Sequence, residues 1–219
     1  MKEFGFYDTA GVIAPGMIFV VGAMALFLPD CGKEFLAIAN VSIGSLGLGL
    51  ILSYAAGHLL QAVGNGLEKL WWGLWSGMPI DWVRSGKHEL IAAKQLTLLE
   101  ARIRVMLNEP ELTLSTISSN DWRSITRQIY AAVAGANRNS RVDTFNGIYG
   151  LGRGLAAALS LLLIGTLCVR CGEWQIAIVL LILLGLAIYR MHSFGVVYGR
   201  ELLIQYLQAP VADNGKNFT

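Results

Sequence analysis

Four long stretches of this sequence contain no Asp, Glu, Lys or Arg: residues 11–28, 35–60, 154–169 and 174–189. No other feature limits the possible folds so strongly. A hydrocarbon layer about 30 Å thick is crossed by roughly 20 helical residues at about 1.5 Å each, a length that the two shorter runs reach with their flanks. Backbone N–H and C=O groups left unpaired in lipid cost several kcal/mol apiece, so runs of this kind predict helices. The expected fold is an all-α integral membrane protein with four transmembrane helices and a cytoplasmic helical insertion between spans two and three. Composition agrees with a mixed chain: 54% hydrophobic residues are too many for a soluble domain, and 15% charged residues are too many for a chain wholly in lipid.

The basic residues set the expected orientation. Only Lys33 lies between spans one and two, and only Arg170 between spans three and four; the other fifteen of the 17 Lys and Arg lie on the opposite side. Eleven of them, from Lys69 to Arg153, fall in the middle segment. The positive-inside rule therefore predicts a cytoplasmic middle segment and cytoplasmic N- and C-termini. With a net charge of only +2, this asymmetry speaks to topology and gives no reason to expect direct nucleic-acid binding. A cleavable signal at Ala23-Met24-Ala25 is not expected, because the apolar run continues to Leu28 and Asp8 and Pro15 are atypical of a signal's front end.

Periodicity divides the chain into an N-terminal transmembrane hairpin with a juxtamembrane Trp segment (1–75), a cytoplasmic helical segment (76–140), a C-terminal hairpin with a cytoplasmic extension (141–208) and a tail (209–219). Pro15 suits a helix start or a kink. Trp71, Trp72 and Trp75 suit the inner headgroup layer, and Trp82 either continues that belt or packs on the soluble part. Ala92, Leu96, Leu99, Ile103 and Met106 predict an amphipathic helix over 88–107, and Trp122, Ile125, Ile129 and Val133 a second one capped by Ser119 or Asn120. Two such helices are too small to form a core alone and must pack on each other, on the inner ends of the spans or on a partner.

Three groups of residues are candidates for function. His58, Gln61, Asn65 and Glu68 recur at helical spacing where span two leaves the membrane, and polar groups there face a bundle or a wet cavity. They suit a structural polar cluster or a pore lining, bonded to Tyr149 and Arg153; Arg153 and Arg190 snorkel to phosphates or pair with Glu68 or Asp143. Ser45, Gly49, Ser53 and Gly57, with Gly150, Gly154 and Ala158, form small-residue faces that let membrane helices approach closely, either spans two and three against each other or across an oligomer. Cys31 and Cys171 sit in the two outer loops, where an oxidising compartment permits a disulfide between them. One His and one Glu without further ligands do not make a metal site, so no metal and no cofactor is expected.

No nucleophile elbow, phosphate loop, zinc-protease motif or intramembrane carboxylate pair is present, so no catalytic residue is assigned and an enzyme is not expected. Phe6-Tyr7-Asp8 with Pro15-Gly16, Gly57-His58 with Gln61, Phe145 with Tyr149 and Arg153, and Arg190 with Phe194 and Tyr198 together resemble a group of bacterial four-span inner-membrane proteins often encoded near anti-phage defence genes. The resemblance covers the spans and their inner ends; residues 80–133 carry no motif of the group. It implies a membrane sensor or effector of a defence system and supplies no catalytic residues. The expectation is a non-enzymatic homo-oligomer in the lipid bilayer with a cytoplasmic protein partner. The alternatives are a small ion channel, pore or transporter and, third, a membrane-bound hydrolase.

Overall fold

The computed structural model describes residues 6–28, 43–170 and 172–210. Among these the chain is all-α. The six main helices are α1 (Phe6–Phe27), α2 (Ile43–Leu74), α3 (Ala93–Leu107), α4 (Ser119–Gly135), α5 (Ser140–Val169) and α6 (Trp174–Gln208). Short turns at Pro79–Asp81, Trp82–Ser85 and Leu114–Thr116 connect them. Three of the helices, α2, α5 and α6, are long and apolar enough to cross a membrane, and α1 contains a shorter apolar stretch, Gly11–Phe27. This is a multi-pass membrane protein. The beginning of the second apolar run, the outer turn near Cys31, Cys171 and the end of the tail lie outside the described residues.

Two compact units divide the chain: Met1–Trp71 with Gly147–Phe194, and Trp72–Asn146 with Gly195–Thr219. In the first, α5 is the helix on which the others pack. Of its most apolar window, 44% is buried, against 22% for α2 and 17% for α6. Its small residues explain this. Ala156, Ala157 and Ala158 are buried almost completely, and Leu159 and Leu162 join Leu26, Leu180 and Ala187 in one apolar cluster. A Cβ on Gly152 would stand 3.2 Å from the backbone of Met191, so α5 and α6 meet nearly backbone to backbone. The outward side chains of α6, such as Leu181, Ile182 and Leu186, stay exposed, as a helix bordering lipid requires.

Helices α1 and α2 cross more tightly still. A Cβ on Gly16 would lie 1.8 Å from the Ser53 carbonyl oxygen, and one on Gly57 would lie 2.1 Å from that of Val12. The small face of span two therefore meets span one here, through Ser53 and Gly57. Gly154 packs on Pro15 and Gln61, and Ala158 clusters with Leu60 and Phe19, so α5 touches both α1 and α2. Gly49 is buried, Gly150 faces open space, and the side chain of Ser45 lies outside the described residues. Pro15 sits inside α1 and does not start it, because α1 begins at Phe6.

The second unit has its own core. Leu99 and Ile103 of α3, Trp122, Ile129 and Val133 of α4, Val142 at the start of α5, and Leu202 and Leu203 at the end of α6 are buried. The two amphipathic helices thus gain enough apolar surface by sharing a core with the ends of longer ones. Arginines bind carbonyls at the end of α6 and in the loops on either side of α3. Arg102 Nη1 donates to the Tyr206 and Ala209 carbonyls at 2.7 and 2.8 Å, Arg104 Nε to that of Leu112 at 2.7 Å, and Arg200 Nε to that of Leu90 at 3.0 Å. Carbonyls at helix ends and in loops lack a full set of backbone donors, and guanidinium groups supply additional ones.

Three details differ from the sequence reading. Helix α3 starts at Ala93 rather than near His88, because Gln95 Oε1 accepts from the Ala92 N–H at 3.1 Å and the Leu90 carbonyl is turned to Arg200. The cap of α4 is Ser118, whose hydroxyl accepts from the Asp121 N–H at 3.2 Å, one residue before the expected Ser119 or Asn120. Trp72 is buried in the second unit rather than set in a headgroup layer, 6.1 Å edge to face from Trp82. Trp82 takes the second of its two expected placements, and its Nε1 donates to the carbonyls of Trp75 and Gly77 just beyond α2. In the same unit Tyr130 donates to Asp143 Oδ1 at 2.8 Å. That hydrogen bond, with some burial, raises its pKa above 10.0, so its contribution to folding is complete below that pH and is lost as pH rises through the raised value.

The glycine contacts yield a graded prediction. Gly16→Ala forces a methyl against the Ser53 backbone and should lower stability by about 2 kcal/mol or more. Gly150→Ala meets nothing and should be neutral or stabilise by up to about 1 kcal/mol. Thermal unfolding of both variants in one detergent checks the contrast.

Candidate functional site: a polar cluster on α1, α2 and α5

A proline inside a helix has no N–H to offer the carbonyl four residues earlier. In α1 that carbonyl belongs to Gly11, and an orphan of this kind in or near lipid must find another donor. Gln61 of α2 supplies it: its Nε2 donates to the Gly11 oxygen at 3.0 Å. The Gln61 Oε1 in turn accepts from Arg153 Nη2 of α5 at 2.9 Å, and Arg153 Nη1 pairs with Glu68 Oε2 at 2.5 Å.

The chemistry at each position is specific. Between a backbone carbonyl, which only accepts, and a guanidinium, which only donates, the bridging side chain must do both, as an uncharged amide does. That requirement also fixes which way the Gln61 amide points. Glu68, seven residues on from Gln61 and so on the same face of α2, brings the carboxylate that neutralises Arg153. Gly64, between them, leaves room for the arginine: a Cβ there would stand 3.0 Å from Arg153 Cγ. On α5 the next residue, Gly154, has Pro15 against it, with the ring's Cγ only 2.8 Å from where a Cβ would be. The Arg153 guanidinium carbon also lies 5.9 Å from the centroid of the Tyr149 ring. Its Nε is buried without a partner among the described residues.

The four polar residues of α2 therefore separate. Gln61 and Glu68 are partly buried and joined by Arg153, while His58 and Asn65 are exposed. The His58 ring lies edge to face on Tyr54, with centroids 4.5 Å apart. Among the described residues neither His58 nor Asn65 makes a hydrogen bond or ion pair. The spacing explains the split: 58 and 65 share one lane of the helix, 61 and 68 the adjacent lane about 60° away, at about 100° per residue. His192 is held by Trp71, whose Nε1 donates to its Nδ1 at 3.2 Å. Arg190 stacks on Phe194 at 4.6 Å. Cys168 is a free, exposed thiol, and the pairing of Cys31 with Cys171 falls outside the described residues.

Sequence reasoning located Gln61, Glu68 and Arg153 but missed Gly11. The signal was available: Pro15 four residues downstream marks the Gly11 carbonyl as the one deprived of its donor. No protein-family model matches this sequence, and neither a curated protein nor a solved structure does. What the cluster does must be derived from its own chemistry. It contains no nucleophile, and among the described residues no group of three or more His, Cys, Asp and Glu side chains could hold a metal ion. It ties three helices together through one amide and one ion pair.

Removing one partner of this pair should cost more than removing both charges. Arg153→Leu leaves Glu68 only 15% exposed and without its counter-charge. A loss of about 2 kcal/mol is expected, below the roughly 3–5 kcal/mol of fully buried pairs because the site is partly open. The double variant Arg153→Gln with Glu68→Gln keeps hydrogen-bonding groups without charge and should be more stable than Arg153→Leu. Gln61→Leu, which strands the Gly11 carbonyl, should not be rescued by it. Unfolding midpoints in detergent test all three.

Proposed function

We propose that the chain is a non-enzymatic component of a bacterial inner membrane that assembles into a homo-oligomer through the His58 and Asn65 lane of α2. In this reading α1 is the fourth span, both termini and the Trp72–Asn146 segment are cytoplasmic, and the amphipathic helices α3 and α4 couple to a soluble protein. The observation that carries the reading is a polar lane left uncovered on a helix long and apolar enough to cross a membrane. Unpaired polar side chains on such a helix are costly when they face lipid, and a neighbouring helix that hydrogen-bonds to them removes the cost. A second copy of α2 presents the same groups and is the simplest complement, since homo-oligomers are usually built on self-complementary or ring-closing symmetry. The small residues often credited with such assembly are occupied within the chain, Ser53 and Gly57 on α1.

The resemblance to inner-membrane proteins encoded near anti-phage defence genes supplies the biological setting: a membrane sensor or effector that responds to a cytoplasmic partner. A pore is the second reading, favoured by the same lane. Around a symmetry axis His58 and Asn65 would line a path, whereas at a side-by-side contact they would bond to each other.

Disulfide trapping in native membranes tests the assembly. In a background with Cys31, Cys168 and Cys171 changed to Ser, His58→Cys and Asn65→Cys should form a covalent dimer on mild oxidation. The buried Ala157→Cys should not. Equal trapping at all three positions, or none at any, would reject the lane as an interface. Conductance of the reconstituted oligomer, lost on changing His58 and Asn65 to Leu, would favour the pore. For topology, a cysteine at Arg104 should resist an impermeant thiol reagent in intact cells and react after lysis.

A further inference from the structure

The three arginines among the described residues of the first unit differ in one respect. Arg153 is neutralised by Glu68 and Arg170 by Glu173, but Arg190 has no hydrogen bond or ion pair among the described residues. Its guanidinium is stacked at 4.6 Å on the Phe194 ring, a contact that steadies the group without consuming its N–H donors. Beside it runs a groove of ≈ 340 Å³ between α1, α5 and α6, within the size range of small-ligand sites. Its walls include Ile18, Leu151, Leu155, Leu183 and Leu186, and among the described residues Arg190 is its single charged lining residue.

The depth of the arginine matters. Met191, the next residue, packs on Gly152, the residue before Arg153, so Arg190 lies level with the polar cluster where the apolar runs end. From there α6 returns toward Trp174, and Leu186 and Leu183 follow at about 6 and 10 Å along the helix, at about 1.5 Å per residue. One end of the groove thus holds a free, planar bidentate cation, and the remainder is hydrocarbon leading toward the middle of the membrane.

We propose that this groove is a binding site for one anionic phospholipid, with its phosphate on Arg190 and an acyl chain along Leu186 and Leu183. Charge complementarity singles out this occupant. An unopposed guanidinium matches a phosphate with net negative charge, whereas a zwitterionic headgroup brings an ammonium that offsets the attraction. The site requires only that the first unit lies in a membrane and is independent of the oligomer proposed above.

Native mass spectrometry of the full chain in mild detergent, titrated with phosphatidylglycerol or phosphatidylcholine, provides the test. Wild-type protein should retain phosphatidylglycerol preferentially. Arg190→Gln should weaken that retention about ten-fold or more, the scale of losing charge-assisted hydrogen bonds, and Arg190→Lys should weaken it less. Leu186→Trp, which fills the groove but keeps the arginine, should also lower retention and serves if Arg190→Gln does not fold. Equal retention of the two lipids by the wild type would overturn the proposal. So would unchanged retention in folded Arg190→Gln, or a Leu186→Trp variant that changes only the oligomeric state.

Discussion

A single backbone carbonyl organises the first unit. Pro15 takes from Gly11 the hydrogen bond that an uninterrupted helix would give it, and in a medium without water the debt is met by a side chain from another helix. Gln61 meets it, and because an amide has a second end, the same residue also receives Arg153. The positive charge brought there requires Glu68. Each member follows from the one before: a proline creates an acceptor, the acceptor selects an amide, the amide positions a guanidinium and the guanidinium fixes a carboxylate. The Gly11 carbonyl, Gln61, Arg153 and Glu68 are one interaction rather than several.

Around this network, close contact replaces the hydrophobic effect that would hold helices together in water. Lipid tails are as apolar as leucine, so association depends on how near the backbones come and on the polar groups they share. Glycines and alanines on α5 answer the first need, with Gly152 against Met191, Gly154 against Pro15, and Ala157 and Ala158 in a cluster with Leu60. Many of the larger side chains of α2 and α6, such as Leu59, Leu70, Ile182 and Leu186, are exposed, whereas α5 is nearly half enclosed. The second unit follows the rules of soluble proteins, with a core of Leu, Ile, Val and Trp and arginines that bind carbonyls at a helix end and in loops.

What could be read from the sequence depended on whether the signal was periodic or pairwise. Charge-free runs and apolar spacing predict helices directly, and α2, α5, α6 and the two amphipathic helices were legible in that way. Pairings were less so. The spacing of His58, Gln61, Asn65 and Glu68 suggests one face, yet adjacent lanes of a helix differ by only about 60°, and packing on α5 decides which lane is enclosed. The small stripe of α2 was visible, but its partner was not, because Gly16 and Gly57 are matched by shape across a gap in the chain that no local pattern records. Trp72 misled for a related reason. An indole near a span end suits the headgroup layer, and only the turn that brings Trp82 back onto Trp72 shows that these two belong to a packed core.

The crossing of Gly16 on Ser53 and Gly57 also acts as a notch. Sliding α2 by one turn in one direction would bring Gln61 to the place where even a methyl has no room, and in the other it would carry the amide away from Gly11. Inserting a single residue before Gly57 would turn both groups about 100° off their marks at once. Shape and hydrogen bonding thus read the same register. A chain threading into the membrane has one docked position for this helix pair, and near misses forfeit both kinds of contact together.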